Sequence, residues 1–162
     1  MKKTTALCPG SFDPPTLGHI NIIERAMKCF DKVVVAVAIN TSKRSTFTPE
    51  ERVEMLKTLF KGRKNIQIDT FSGLLVNYAR KKKVDTILRG LRTVQDYEYE
   101  LQMALANKKL APDLETIFMM TESEYSHISS SIIKEVIFFG GTGKGMIHPL
   151  VEKRLKEKLK NK

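Results

Sequence analysis

Tryptophan is absent from this chain of 162 residues, and cysteine and histidine are scarce, with two and three residues. Aromatic residues make up only 7%. No strand-like stretch interleaves aromatic and basic side chains, so the stacking surface of a nucleic-acid-binding module is missing. Cys8 and Cys29 have neither a metal-site spacing nor the number needed for a disulfide framework, and both are expected to be reduced and mostly buried. No apolar run approaches the ~20 residues of a membrane span. The longest, Val33–Ile39, is the length of a strand. The N-terminal residues contain no apolar signal-peptide core. These absences lead to the expectation of a cytoplasmic protein with no membrane partner.

What is present suits one domain over residues 1–162, with ordinary apolar and charged fractions of 41% and 28%. The net charge is +10, of which the last eleven residues carry +4. A basic body implies an anionic ligand. Short runs rich in β-branched residues predict strands over Thr4–Cys8, Val33–Ile39, Ile66–Thr70, Thr86–Arg89 and Thr116–Met120. Helical periodicity predicts helices over Gly18–Phe30, Pro49–Phe60, Leu74–Lys82, Val94–Leu110, Ser130–Phe139 and Pro149–Leu159. Thr48, Pro49 and Glu51 form a capping-box signature at the start of the second. In the last, Leu150, Val151, Leu155 and Leu159 share a face, so it is expected to dock and keep its basic side in solvent. The alternation predicts an α/β fold: a Rossmann-like, doubly wound, five-stranded parallel sheet with helices on both faces. Ligands bind such sheets beyond the carboxyl ends of the strands, so motifs count most where they follow a strand.

Four segments do. After the first strand, Gly10 permits close backbone approach, Ser11 offers a hydroxyl and an N–H, and Gly18-His19 opens a helix whose free N–H groups favour phosphate. After the second, Lys43 is a mobile point charge at the ligand edge, while Arg44 reads as a solvated loop residue. After the fourth, Arg89 and Arg92 flank Gly90 and can reach one polyanion from two sides. Glu100, Met103, Ala104 and Asn107 share a face of the following helix, where a carboxylate suits a ribose hydroxyl. After the fifth, Ser129, Ser130 and Ser131 provide hydroxyls and N–H groups at a helix start. Gly140–Gly145 looks like a phosphate-binding loop but has Phe138 and Gly145 where glycine and a magnesium-binding hydroxyl are needed. No nucleophile–base arrangement is readable. The residues alone point to phosphate chemistry on a nucleotide.

Thr16-Leu17-Gly18-His19 resembles the H/T-x-G-H signature of the nucleotidyltransferase superfamily, in its Thr form. Ile128-Ser129-Ser130-Ser131-Ile132-Ile133-Lys134 resembles the second signature, I-S-S-S/T-x-x-R/K. Arg89-Gly90-Leu91-Arg92, the Asp96–Glu100 segment and Phe71–Leu75 are similar to the pantetheine-phosphate adenylyltransferase family of coenzyme A synthesis. That resemblance implies transfer of AMP from ATP to 4′-phosphopantetheine. It implies that His19 stabilises the transition state, that Lys43 and Arg89 hold the acceptor phosphate beside Ser11, and that Arg92 and Ser129–Ser131 grip the distal phosphates, with His19, Lys43 and Arg92 as the catalytic set. Phe12, Gly90, Leu91, Glu100 and the Tyr125, Ser126, His127 and Ile128 segment would contact ATP, with no chemical role for His127. Leu74, Leu75, Met103 and Asn107 would line the pantetheine arm. Magnesium is expected on ATP oxygens and water with no protein metal site, coenzyme A as a possible feedback ligand, and a homohexamer as the assembly. The alternatives are another phosphorylated acceptor (nicotinamide mononucleotide or glycerol 3-phosphate), a nucleotide sensor without catalysis, and a nucleic-acid-binding module suggested by the charge.

Overall fold

The computed structural model describes residues 4–40 and 44–160. Five strands form the sheet: β1 (Thr5–Gly10), β2 (Lys32–Ala38), β3 (Ile66–Phe71), β4 (Thr86–Leu91) and β5 (Glu115–Met120). Between and after them come α1 (Leu17–Cys29), α2 (Pro49–Leu59), α3 (Leu75–Lys82), α4 (Val94–Leu110), α5 (Ser130–Phe138) and α6 (Pro149–Lys160). The strand order is β3-β2-β1-β4-β5 and every pairing is parallel. Neighbour order reverses between β1 and β4, which makes that junction the place for a ligand. Elements expected from the periodicity are all present, within two residues at each end. A 3-10 turn at Ser123–Tyr125 is an addition.

Alternation along the strands explains the two layers of helix. Ala6, Cys8, Val33, Val35 and Val37 face α1 and α2, meeting Ile22, Ile23, Ala26, Leu56 and Phe60. Leu7, Val34, Ala36 and Ile87 face the other way and meet Val76, Tyr78 and Ala79 of α3. Central strands buried on both faces read as continuous apolar runs, as Val33–Ile39 does. Cys8 is buried as expected, but Cys29 is exposed. It is the last residue of α1, beyond the helical stripe of Ile22, Ile23 and Ala26 that reaches the sheet.

Thr48 and Glu51 close the expected capping box on α2, with Thr48 N–H donating to Glu51 at 2.7 Å. The C-terminal helix docks through Val151 and Leu155, both fully buried. They join Ile128 and Ile133 beneath the start of α5, and Phe47 and Met55 beside α2, in a separate apolar cluster. Arg154 bonds Glu54 and Lys158 bonds Glu51 at its rim. Leu17 N–H donates to Met146 O at 2.9 Å, so the segment before α6 also holds the start of α1.

Leu155→Ala should lower unfolding stability by about 2–5 kcal/mol, the usual range for a buried leucine truncation, as measured by urea denaturation. The apparent KM for nucleotide should rise as well, because the same cluster supports the start of α5.

Candidate active site

The site lies at the β1–β4 junction, and its geometry begins with α1. Thr16 is the N-cap: His19 N–H donates to Thr16 Oγ1 at 3.2 Å, and Thr16 N–H donates to His19 Nδ1 at 3.0 Å. A backbone N–H can only donate, so Nδ1 must be the unprotonated nitrogen. The neutral ring therefore carries its proton on Nε2. Phe12 sets an edge against the imidazole, with ring centroids 5.1 Å apart. The ring keeps an opening to the pocket, yet dense surroundings push its pKa down to about 4, with further lowering from Arg92 and then Arg89. His19 is thus a neutral hydrogen-bond donor at physiological pH. Phe12 has a φ of 48°, and a Cβ added to Gly10 would lie 2.9 Å from the Phe12 ring, so glycine is required there.

Two arginines leave β4 in parallel arrangements. Arg89 directs Nε and Nη2 to the Glu100 carboxylate and Nη1 to Pro9 O at 2.6 Å. Arg92 directs Nε and Nη2 to Asp96 at 3.0 and 3.1 Å, and Nη1 to Ile128 O at 2.8 Å. Each guanidinium has five N–H bonds, so two on each remain for a ligand. Asp96 and Glu100 are one helical turn apart on α4, as Arg89 and Arg92 are three apart at the strand end. Glu100, expected to face a ribose, is thus engaged by Arg89. A nearby buried thiol, Cys8, is pushed up to about 12 by burial, against a lowering influence from Arg89.

The serines divide their work. Ser129 caps α5 by accepting from Ile132 N–H at 3.1 Å, and Ser130 Oγ donates to Pro14 O at 2.9 Å. The hydroxyl of Ser131 and the N–H groups of Ser130 and Ser131 are left at the helix start. Lys134 reaches back to Asp13 at 3.5 Å. Asp13 also accepts from Thr46 N–H at 2.8 Å and Phe47 N–H at 2.9 Å, which ties the first loop to the residues before α2.

These groups border two clefts that share Ser11, Arg89, Glu100, Ser130 and Ser131. The smaller, about 330 Å³, brings in Phe12, His19, Gly90, Arg92, Ile128 and Ser129. The larger, about 720 Å³, brings in Leu74, Leu75, Met103 and Asn107, and also Arg44, expected to be solvated. Leu91 is buried in the core, and Tyr125, Ser126 and His127 lie off both clefts, around the 3-10 turn. Lys43 lies outside the described residues. No group of three or more metal-ligating side chains occurs among the described residues. Sequence reasoning missed Arg52, a buried arginine on the larger cleft. Its signal was a charge on the same helical stripe as Met55 and Leu56.

A helix start open to a cleft at the sheet's switch point, a neutral histidine donor and two carboxylate-clamped arginines suit the nucleotidyltransferase class. A model of the cytidylyltransferase-like family matches residues 7–136. The chain is similar to phosphopantetheine adenylyltransferases of Carboxydothermus hydrogenoformans (54% identical, 94% of each chain), Thermodesulfovibrio yellowstonii (49%, 96% of this chain and 98% of the relative) and Caldanaerobacter subterraneus subsp. tengcongensis (51%, 96% and 97%). The chain belongs to the phosphopantetheine adenylyltransferase family. In fold it is similar to a Vibrio parahaemolyticus protein assigned provisionally as a nicotinate-nucleotide adenylyltransferase, with a TM-score of 0.72, 20% identity, and coverage of 94% of this chain and 98% of that one.

The imidazole can be titrated directly. Long-range ¹H–¹⁵N spectra at neutral pH should show His19 as the Nε2–H tautomer, with a midpoint near about 4. Arg92→Gln should move that midpoint up towards the ordinary 6.5, because one nearby cation is gone. The neutral ring's contribution to stability is complete above 6.5 and is lost as pH falls from there through about 4. A His19 midpoint near 6.5 in the wild type would refute this electrostatic account.

Proposed function

We propose that the chain transfers AMP from ATP to 4′-phosphopantetheine, giving dephospho-coenzyme A and pyrophosphate. The observation that carries this reading is the pairing of a small, histidine-bearing phosphate cleft with a larger cleft of mixed polarity across the shared Arg89–Glu100 wall. Homology with proteins named phosphopantetheine adenylyltransferase supplies the acceptor.

The chemistry needs little beyond placement and charge. A phosphomonoester is largely dianionic near neutrality, since its second pKa is ~6, so its oxygen attacks the α-phosphorus without a general base. The new P–O bond forms as the bond from the α-phosphorus to the bridging oxygen breaks, and that electron pair leaves with pyrophosphate. His19 Nε2–H donates to a non-bridging α-phosphate oxygen as its charge builds. Being neutral, it stabilises that oxygen without giving up its proton. The outward N–H groups of Arg92, with the Ser130 and Ser131 helix start, take the distal phosphates. Arg89, Lys43 and Ser11 take the acceptor phosphate. Glu100 and the Gly90–Leu91 backbone border the nucleoside, with Phe12 and Ile128 beside it. Leu74, Leu75, Met103 and Asn107 receive the pantetheine arm.

ATP enters as its magnesium complex, the metal held by phosphate oxygens and water. Coenzyme A, which shares the acceptor's arm, is a feedback ligand of the larger cleft. The assembly is a homohexamer in the cytoplasm. In support of assembly, none of the seventeen residues of α4 is buried, and Val94, Leu105, Ile117 and Met120 leave an exposed apolar surface across α4 and β5. No helix among the described residues is long and apolar enough to cross a membrane.

Pyrophosphate release from ATP should depend on 4′-phosphopantetheine and be far slower with nicotinamide mononucleotide or glycerol 3-phosphate. Equal turnover with either would overturn the acceptor assignment. His19→Ala should lower kcat by about 10²–10³, the loss expected for one transition-state donor, with little change in either KM.

A further inference from the structure

Arg52 is only 3% exposed, in the first turns of α2. Its hydrogen-bond partners are neutral carbonyl oxygens: Ser11 at 2.7 Å, Thr48 at 3.3 Å and Ala38 at 3.4 Å. Among the described residues it makes no ion pair. Glu51 is engaged by Thr48 N–H and Lys158, and Asp13 by two N–H groups and Lys134. Exposed Glu50 senses the guanidinium electrostatically but does not pair with it. A buried charge without a counter-charge is strongly unfavourable. Its persistence asks for an anion.

Arg52 borders the larger cleft. Of the charges on that cleft's lining, Arg89 is paired with Glu100 and Lys134 with Asp13, whereas Arg44 is exposed. Among the described residues of that lining, the buried charge without a counter-charge is therefore that of Arg52. A phosphomonoester is the complementary ligand. The carbonyls that Arg52 holds belong to the loop after β1 and to the last residue of β2, so the same guanidinium fixes both segments at the cleft mouth.

We propose that Arg52 is a specificity-determining residue for the acceptor: its buried, carboxylate-free guanidinium selects a phosphorylated over an unphosphorylated ligand in the larger cleft. This rests on that cleft being the acceptor site. The test compares Arg52→Gln and Arg52→Lys with wild type, using calorimetry with 4′-phosphopantetheine, pantetheine and ATP. Arg52→Gln should weaken 4′-phosphopantetheine about ten-fold or more, as loss of a charge-assisted interaction does, while pantetheine and ATP change less than about two-fold. Arg52→Lys keeps the charge without the planar fork and should lose about three-fold, again only for the phosphorylated ligand, which decides the matter if the glutamine variant does not fold. Uniform weakening of all three ligands, or no weakening, overturns the proposal. Inorganic phosphate is the second probe. Its protection against thermal unfolding should fall in both variants, even if wild type prefers another acceptor. Equal protection in all three proteins would sink the role of Arg52 itself.

Discussion

Thr16 and His19 hold each other through two reciprocal hydrogen bonds, and the chemistry of the site depends on that pair. The threonine ends the approach to α1, and the histidine completes the cap from inside the helix. The bond from a backbone donor fixes which ring nitrogen is bare. Ring orientation, tautomer and helix register are therefore one constraint. A histidine held less tightly would be free to present either nitrogen, and the nearby arginines would have no fixed dipole to act beside. Phe12 completes the arrangement from the side, which is why its unusual backbone conformation and the missing Cβ at Gly10 belong to the same device.

The arginines are governed by a similar rule one layer out. Arg89 lies on β4 and Arg92 just beyond its end, and their carboxylates are one turn apart on α4, so each arginine meets its own acid. Each carboxylate occupies one edge of a guanidinium, and a carbonyl accepts a hydrogen bond from one further N–H. What remains faces the clefts. Desolvation is limited because the charges are already paired, yet donors are left over for a polyanion. The shared wall formed by Arg89 and Glu100 sets two clefts on either side of one ion pair.

Much of this was legible from residue order. Strand alternation and helical stripes gave the sheet, its two helical layers and the docking face of α6, since burial on a repeating geometry leaves a period in the chain. Gly10, His19, Arg89, Arg92 and the serine run were legible because they follow strands. The partners were harder to see. Glu100 read as a ligand-facing acid until α4 was placed against β4. Thr16 read as a motif residue, and it is also the N-cap of α1. Arg52 was hidden because helical periodicity marks which face is buried, not which charge is tolerated there. Its partners come from residues 11 and 38, far away in the chain. Cys29 misled for the opposite reason: cysteine's general tendency to be buried said nothing about a position at a helix end.

The two thiols end in opposite chemical circumstances. Cys8 lies on the floor of the smaller cleft, and its pKa of about 12 leaves almost no thiolate at neutral pH. Cys29 is exposed at the far end of α1. A thiol-selective electrophile added to the native protein therefore meets one accessible thiol among the described residues, towards the opposite end of the helix that begins with the Thr16–His19 cap. The chain has a built-in attachment point for a spectroscopic reporter, on the same helix as His19 and ten residues further along it.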